Sequence, residues 1–132
     1  MKDLIGYLEA IRQTCKDWHY SASGDSFYSD HLLADRIGEP ISGFIDSVKE
    51  VCFLGNEVEA PKSKDVAVAL VLILKDDIEP KQLPDEVCRL INLALYHIEE
   101  LSKTGIMQGE INLLGNIAEN LQQSKGLLWR IV

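Results

Sequence analysis

The amino-acid sequence predicts an all-α protein: four long amphipathic helices and a crossover segment between the second and third. Three observations carry this. Apolar residues recur at spacings of three and four through most of the chain. The polar and glycine or proline clusters that punctuate them fall where helices of ordinary length should end. No pair of alternating apolar segments exists to build a sheet.

Leu4, Ile5, Leu8, Ile11, Cys15 and Trp18 form the stripe of a first helix over residues 3–20. Ser21-Ala22-Ser23-Gly24-Asp25-Ser26 reads as a turn, in which Asp25 or Ser26 can cap the next helix. The second helix is expected from about Phe27 to Leu54, with Leu32, Leu33, Ile37, Ile41, Phe44, Ile45, Val48 and Val51 on its apolar side, and Gly55-Asn56 ends it. Pro40 lies inside this pattern. Proline there removes a hydrogen bond and costs roughly 3 kcal/mol, but the stripe resumes in phase, so one kinked helix is predicted. Residues 56–64 read as a polar loop. Val66 to Leu74 is β-branched and tempts toward a strand. A lone strand would have no partner, so a short buried helix is expected. Pro84-Asp85-Glu86 opens a third long helix, with Val87, Leu90, Ile91, Ala94, Ile98 and Leu101 on one face, and Thr104-Gly105 breaks it. The fourth runs from about Gln108 to the end through Ile111, Leu114, Ile117, Leu121, Leu128 and Ile131. The 132 residues make a single domain with room for one core.

The hydrophobic and charged shares, 46% and 26%, are those of a globular chain. A net charge of −8 disfavours nucleic acid and anionic membranes as partners and favours cations. Three scattered cysteines, Cys15, Cys52 and Cys88, form no CxxC pair, so neither a zinc knuckle nor a redox dithiol is indicated. The start Met1-Lys2-Asp3-Leu4 enters an amphipathic pattern directly, and the most apolar run spans only residues 66–74. A cytoplasmic protein without a membrane span is the expectation.

Five candidate metal ligands fall in the first 50 residues: His19, His31, Asp35, Asp46 and Glu50. Singly, each would read as a structural histidine or a solvated acid. Their spacing is more telling. His31 with Asp35 and Asp46 with Glu50 are each four apart, and all four fall within a sector of about 100° on one helix side. Eleven residues from Asp35 to Asp46 span about 16 Å, too far for one centre with bonds near 2 Å. A second copy of the helix, antiparallel about a two-fold axis near residue 40, would bring His31 and Asp35 of one chain to Asp46 and Glu50 of the other. The small residues Gly38, Ser42 and Gly43 would lie at that crossing. His19 and His31 flank the turn at Asp25 symmetrically, so His19 joins from within its own chain. Imidazoles with carboxylates suit iron, manganese or zinc, and carboxylates favour ferric over ferrous iron.

The spacing His-x11-His-x3-Asp-x10-Asp-x3-Glu, with Trp18-His19-Tyr20 before the turn and Phe27 after it, resembles the ferroxidase motif of the mini-ferritins, the DNA-binding proteins from starved cells (Dps). The resemblance covers residues 15–54 closely and the rest only in architecture. It implies a ferritin-like four-helix subunit, built into a homo-oligomer, usually a hollow dodecamer, with di-iron sites between two-fold-related subunits. It implies oxidation of Fe(II) by hydrogen peroxide or dioxygen, storage of the ferric product, and protection from peroxide damage. Mn or Zn can substitute at such ligands. Many members bind DNA through lysine-rich tails. Here only Lys2 precedes the first helix, so DNA binding is not expected. Glu110 and Glu119 are the acids nominated for a pore. The absence of a Glu-x-x-His pair separates the chain from larger ferritins. The alternative is a non-enzymatic assembly protein that keeps the ligands as a structural metal clamp. Trp18 reads as an anchor and His97 as structural.

Overall fold

The computed structural model describes residues 1–132 and is all-helical. α1 is Lys2–Ser21, α2 Phe27–Gly38, α3 Ile41–Val48, α4 Ser63–Ile73, α5 Leu83–Ser102 and α6 Gln108–Trp129. A π-helical turn, Lys49–Phe53, and a 3₁₀ turn, Leu54–Asn56, extend α3, and a second 3₁₀ turn, Pro80–Gln82, leads into α5.

α2, α3 and their extension correspond to the single kinked helix expected over residues 27–54. Glu39 and Pro40 keep right-handed helical dihedrals (φ −59° and −72°), so the backbone stays helical through the junction between α2 and α3. The Glu39 N–H still donates to the Asp35 carbonyl at 2.9 Å, whereas Pro40 has no N–H to give the next one. Residues 66–74 are helical up to Ile73, as expected for a segment without a partner strand. Their burial is only one-sided. Gly6 of α1 lets α4 approach closely: a Cβ there would stand 3.1 Å from Ile73 and 3.3 Å from Ala69. On the opposite face Val68, Val71 and Leu72 are exposed, Leu72 at 82%.

α1 lies at the centre and packs on α2, α3, α4 and α5, while α6 packs on α5, α3 and the π turn. Leu4, Leu8, Ile11, Trp18, Ile37, Ile41, Leu90, Ile91, Leu114, Ile117 and Leu121 form one continuous core. Burying such side chains contributes about 1.5–3 kcal/mol each. Leu32 and Val51, expected on the apolar side of the second helix, are exposed. Val51 lies in the π turn, whose wider winding shifts the stripe off a uniform helical period. No helix is long and apolar enough to cross a membrane.

Two other expectations are corrected. Gly38 does not face outward for a second subunit. It is buried against α1, where a Cβ would come within 2.8 Å of the Cys15 Cβ. Gly43, whose Cβ would meet nothing within 4 Å, and Ser42 remain exposed. Glu110 is not free to line a pore. It is buried, accepts from the Met107 N–H at 3.1 Å and from Asn56 Nδ2, and so ties the start of α6 to the turn after α3.

Candidate metal half-sites

The Ser21–Ser26 turn reverses the chain so that α2 runs back along α1. Gly24 takes φ +82°, a conformation glycine adopts without strain, and the Phe27 N–H donates to its carbonyl at 3.1 Å. Ser26 occupies the N-cap, but its hydroxyl donates to Asp30 Oδ2 rather than capping the backbone. This reversal brings the last turn of α1 against the second turn of α2.

His19 and His31 meet there. Their rings stack with centres 3.6 Å apart and planes 21° from parallel. His19 Nδ1 lies 2.8 Å from the His31 carbonyl oxygen, and His31 Nδ1 lies 3.0 Å from the His19 carbonyl oxygen. A carbonyl only accepts, so both rings carry their proton on Nδ1. In the neutral imidazole this leaves the Nε2 lone pair free on each ring. Backbone carbonyls commonly orient metal-binding histidines in this way. Tyr20 stands edge-on to His19 at 5.0 Å, and Phe27 lies 5.2 Å from His31.

Asp35 is one turn beyond His31. It lines a cleft of about 260 Å³ between α1 and α2, together with His19, Tyr20, Arg12, Cys15, Lys16 and Glu39. Cys15 forms part of the cleft wall, but burial pushes its thiol up to about 12. It therefore stays protonated at neutral pH and offers no thiolate. The donors that remain are imidazole nitrogen and carboxylate oxygen, a set that fits iron, manganese or zinc.

Asp46 and Glu50 are exposed and lie outside this cleft, Asp46 on α3 and Glu50 in the π turn. Within the protomer no three His, Cys, Asp or Glu side chains converge on a common point. The structure thus brings His19 and His31 together, puts Asp35 beside His19, and leaves Asp46 and Glu50 apart. Helix rise alone already separated the His31–Asp35 pair from the Asp46–Glu50 pair.

Two features were not legible in the sequence. The reciprocal bonds of the histidines depend on how two helices approach, which the twelve-residue spacing permits but does not dictate. The π turn at Glu50 has no signature in Lys49-Glu50-Val51-Cys52-Phe53. Such turns occur often at functional sites, because the extra residue re-aims side chains. His97, read as structural, is half-buried and packs on Tyr7 with ring centres 4.7 Å apart. No protein-family model matches the chain, and no curated protein matches it.

Proposed function

We propose that the chain is a mini-ferritin-like subunit that binds two ferrous ions at a site shared between two-fold-related copies, oxidises them and stores the ferric product. The observation that carries this reading is the histidine pair. Both rings are held by backbone carbonyls in the tautomer that leaves Nε2 free for a metal, and the same two bonds tie α1 to α2.

The stack also supports two ions rather than one. A lone pair lies in the plane of its ring. Planes 21° apart, with ring centres 3.6 Å apart, do not meet within reach of metal–nitrogen bonds of about 2.1 Å. Each imidazole therefore serves its own ion. The ring separation matches the roughly 3.5–4 Å between the ions of two-metal sites. Asp35, with Asp46 and Glu50 of the partner subunit, supplies the carboxylates that favour the ferric state. Two ferrous ions each give up one electron. One hydrogen peroxide accepts both, takes two protons and leaves as two waters.

Further support comes from the packing. α1, the α2–α3 unit, α6 and α5 adjoin in a cycle, the arrangement of a four-helix bundle, with α4 as the crossover of a ferritin-like subunit. The exposed Val68, Val71 and Leu72 of α4 are unusual for an isolated protomer and are suited to cover by a second copy.

Mixing Fe(II) and peroxide with the protein should produce the ferric absorbance rise. His31→Ala combined with Asp46→Ala should abolish it, and an unchanged rise refutes the assignment. A solution mass near twelve subunits supports storage. A small oligomer without turnover points instead to a structural metal clamp.

A further inference from the structure

A second cleft, of about 470 Å³, opens between the C-terminal half of α1, the first turn of α5 and the segment that joins α4 to α5. Thr14 lines it and is buried, with 3% of its surface exposed. The side-chain hydrogen bonds of α1 join Arg12 and Gln13 to Glu9, His19 to the His31 carbonyl and Ser21 to the Trp18 carbonyl, and none uses the Thr14 hydroxyl. Asn120 Oδ1 on α6 is the one fully enclosed side-chain atom without a partner, so the free Thr14 hydroxyl is reached from the cleft. A helical threonine ordinarily returns its hydroxyl to a carbonyl one turn back or leaves it in bulk water. Thr14 does neither.

The lining carries three carboxylates, Asp17, Asp77 and Glu86, against one ammonium, Lys75. Glu86 is already committed: Arg89 Nε donates to its two oxygens at 3.1 and 3.0 Å, and Lys75 Nζ lies 4.0 Å from Oε2. Asp17 and Asp77 make no ion pair in the protein. Leu74, Ile78 and Leu83 supply apolar walls. The cleft therefore offers negative charge, apolar surface and one free hydroxyl.

A metal ion is a poor match for that combination. A hard cation collects about six oxygens within about 2.6 Å, and no three acidic side chains converge in the protomer. An ammonium asks less. It donates three N–H groups at ordinary hydrogen-bond lengths, and carboxylates attract it without touching it. We propose that this cleft binds a small organic cation, a protonated amine on a short aliphatic body. Asp17 and Asp77 draw the cation in, the Thr14 hydroxyl accepts one of its N–H groups, and its methylenes lie along Leu74, Ile78 and Leu83. The volume is that of a small-molecule site, which begins at about 300 Å³. Tyr20 lines both clefts, but the amine site does not depend on the metal-binding reading.

The test is calorimetric titration of the full chain, kept metal-free with a chelator, with putrescine, butylamine and the neutral control butanediol. Both amines should bind and butanediol should not. Thr14→Val keeps the shape of the side chain and removes the hydroxyl, so it should weaken butylamine by roughly three- to ten-fold. Asp17→Asn combined with Asp77→Asn should weaken it roughly ten-fold and reduce its salt dependence. Asparagine tolerates the left-handed backbone that Asp77 adopts at φ 58°, so that change removes charge without strain. Asp76→Asn, next in the chain but outside the cleft, is the control and should bind as wild type does. Absence of amine binding to wild type overturns the proposal, as does binding that butanediol matches. Equal affinity in wild type, Thr14→Val and the Asp17–Asp77 double variant also overturns it, because the amine then sits elsewhere. None of these results bears on the metal reading.

Discussion

Replacing Gly38 with alanine adds one methyl group where α2 leans on α1, and the structure sets the sign of its effect. The new Cβ would lie 2.8 Å from the Cys15 Cβ and 3.7 Å from its Sγ. The first contact is closer than real carbon atoms approach. Cys15 Cβ is fixed to the α1 backbone, so the helices must part rather than a side chain rotate. Overpacking of this kind costs about 1–3 kcal/mol. Alanine returns about 0.8–1 kcal/mol of helix propensity, which leaves a net loss of up to about 2 kcal/mol. Gly43→Ala is the matched control: nothing lies within 4 Å of its Cβ, so it should stabilise the protomer by up to about 1 kcal/mol. Urea denaturation at matched protein concentration measures both. In a Cys15→Gly background Gly38→Ala should become stabilising, a coupling of about 1–3 kcal/mol. If Gly38→Ala stabilises the protein as Gly43→Ala does, the close approach of α1 and α2 at the cleft floor is not real.

Other perturbations have equally definite outcomes. Cys15 should resist iodoacetamide at pH 8 in the folded protein while the half-buried Cys88 reacts, as mass spectrometry of the alkylated peptides would show. Because burial raises the Cys15 thiol from 9.0 to about 12, the unfolded chain ionises first. Its contribution to stability is complete below about pH 9 and falls away between pH 9 and 12, by up to about 1.4 kcal/mol per pH unit. Cys15→Ala should flatten that part of the stability profile. His31→Ala removes one reciprocal bond directly and leaves the His19 carbonyl without its donor. It should cost about 1–2 kcal/mol in denaturant without metal and should weaken Zn(II) binding as well. Glu110→Ala leaves the Met107 N–H without its acceptor and Asn56 Nδ2 with only the Cys52 carbonyl, so a loss of about 1–2 kcal/mol is expected, with faster amide exchange in the first turn of α6.

The helices were readable because their signals are local. The stripe from Leu4 to Trp18 and the break at Gly105, which takes φ +73°, each depend on a few neighbouring residues. The break between α2 and α3 at Pro40 follows from a missing N–H that no tertiary contact restores. What the sequence concealed depends on contact between segments. Gly38 and Gly43 look alike in the chain, yet one is pressed against Cys15 and the other is open. Glu110 looks like any surface acid until Asn56 is brought across to it. The candidate ligands could be picked out by helical spacing, and the separation of Asp35 from Asp46 by helix rise. The stacking of His19 on His31 could not, since it requires the turn at Gly24 to set two helices at the right height and distance.

The central claim is that the metal site belongs to a pair of subunits, and complementation tests it most directly. Subunits carrying His31→Ala and subunits carrying Asp46→Ala are each damaged in both of their shared sites. When the two are unfolded together and reassembled in equal amounts, random pairing makes half of the two-fold pairs mixed. Each mixed pair contains one intact site and one doubly damaged site, so about a quarter of the wild-type sites are restored. The predicted result is recovery of about a quarter of the wild-type Fe(II) oxidation from two variants that each lack it alone. No recovery after verified co-assembly, or full activity in either variant by itself, would contradict a site shared between subunits.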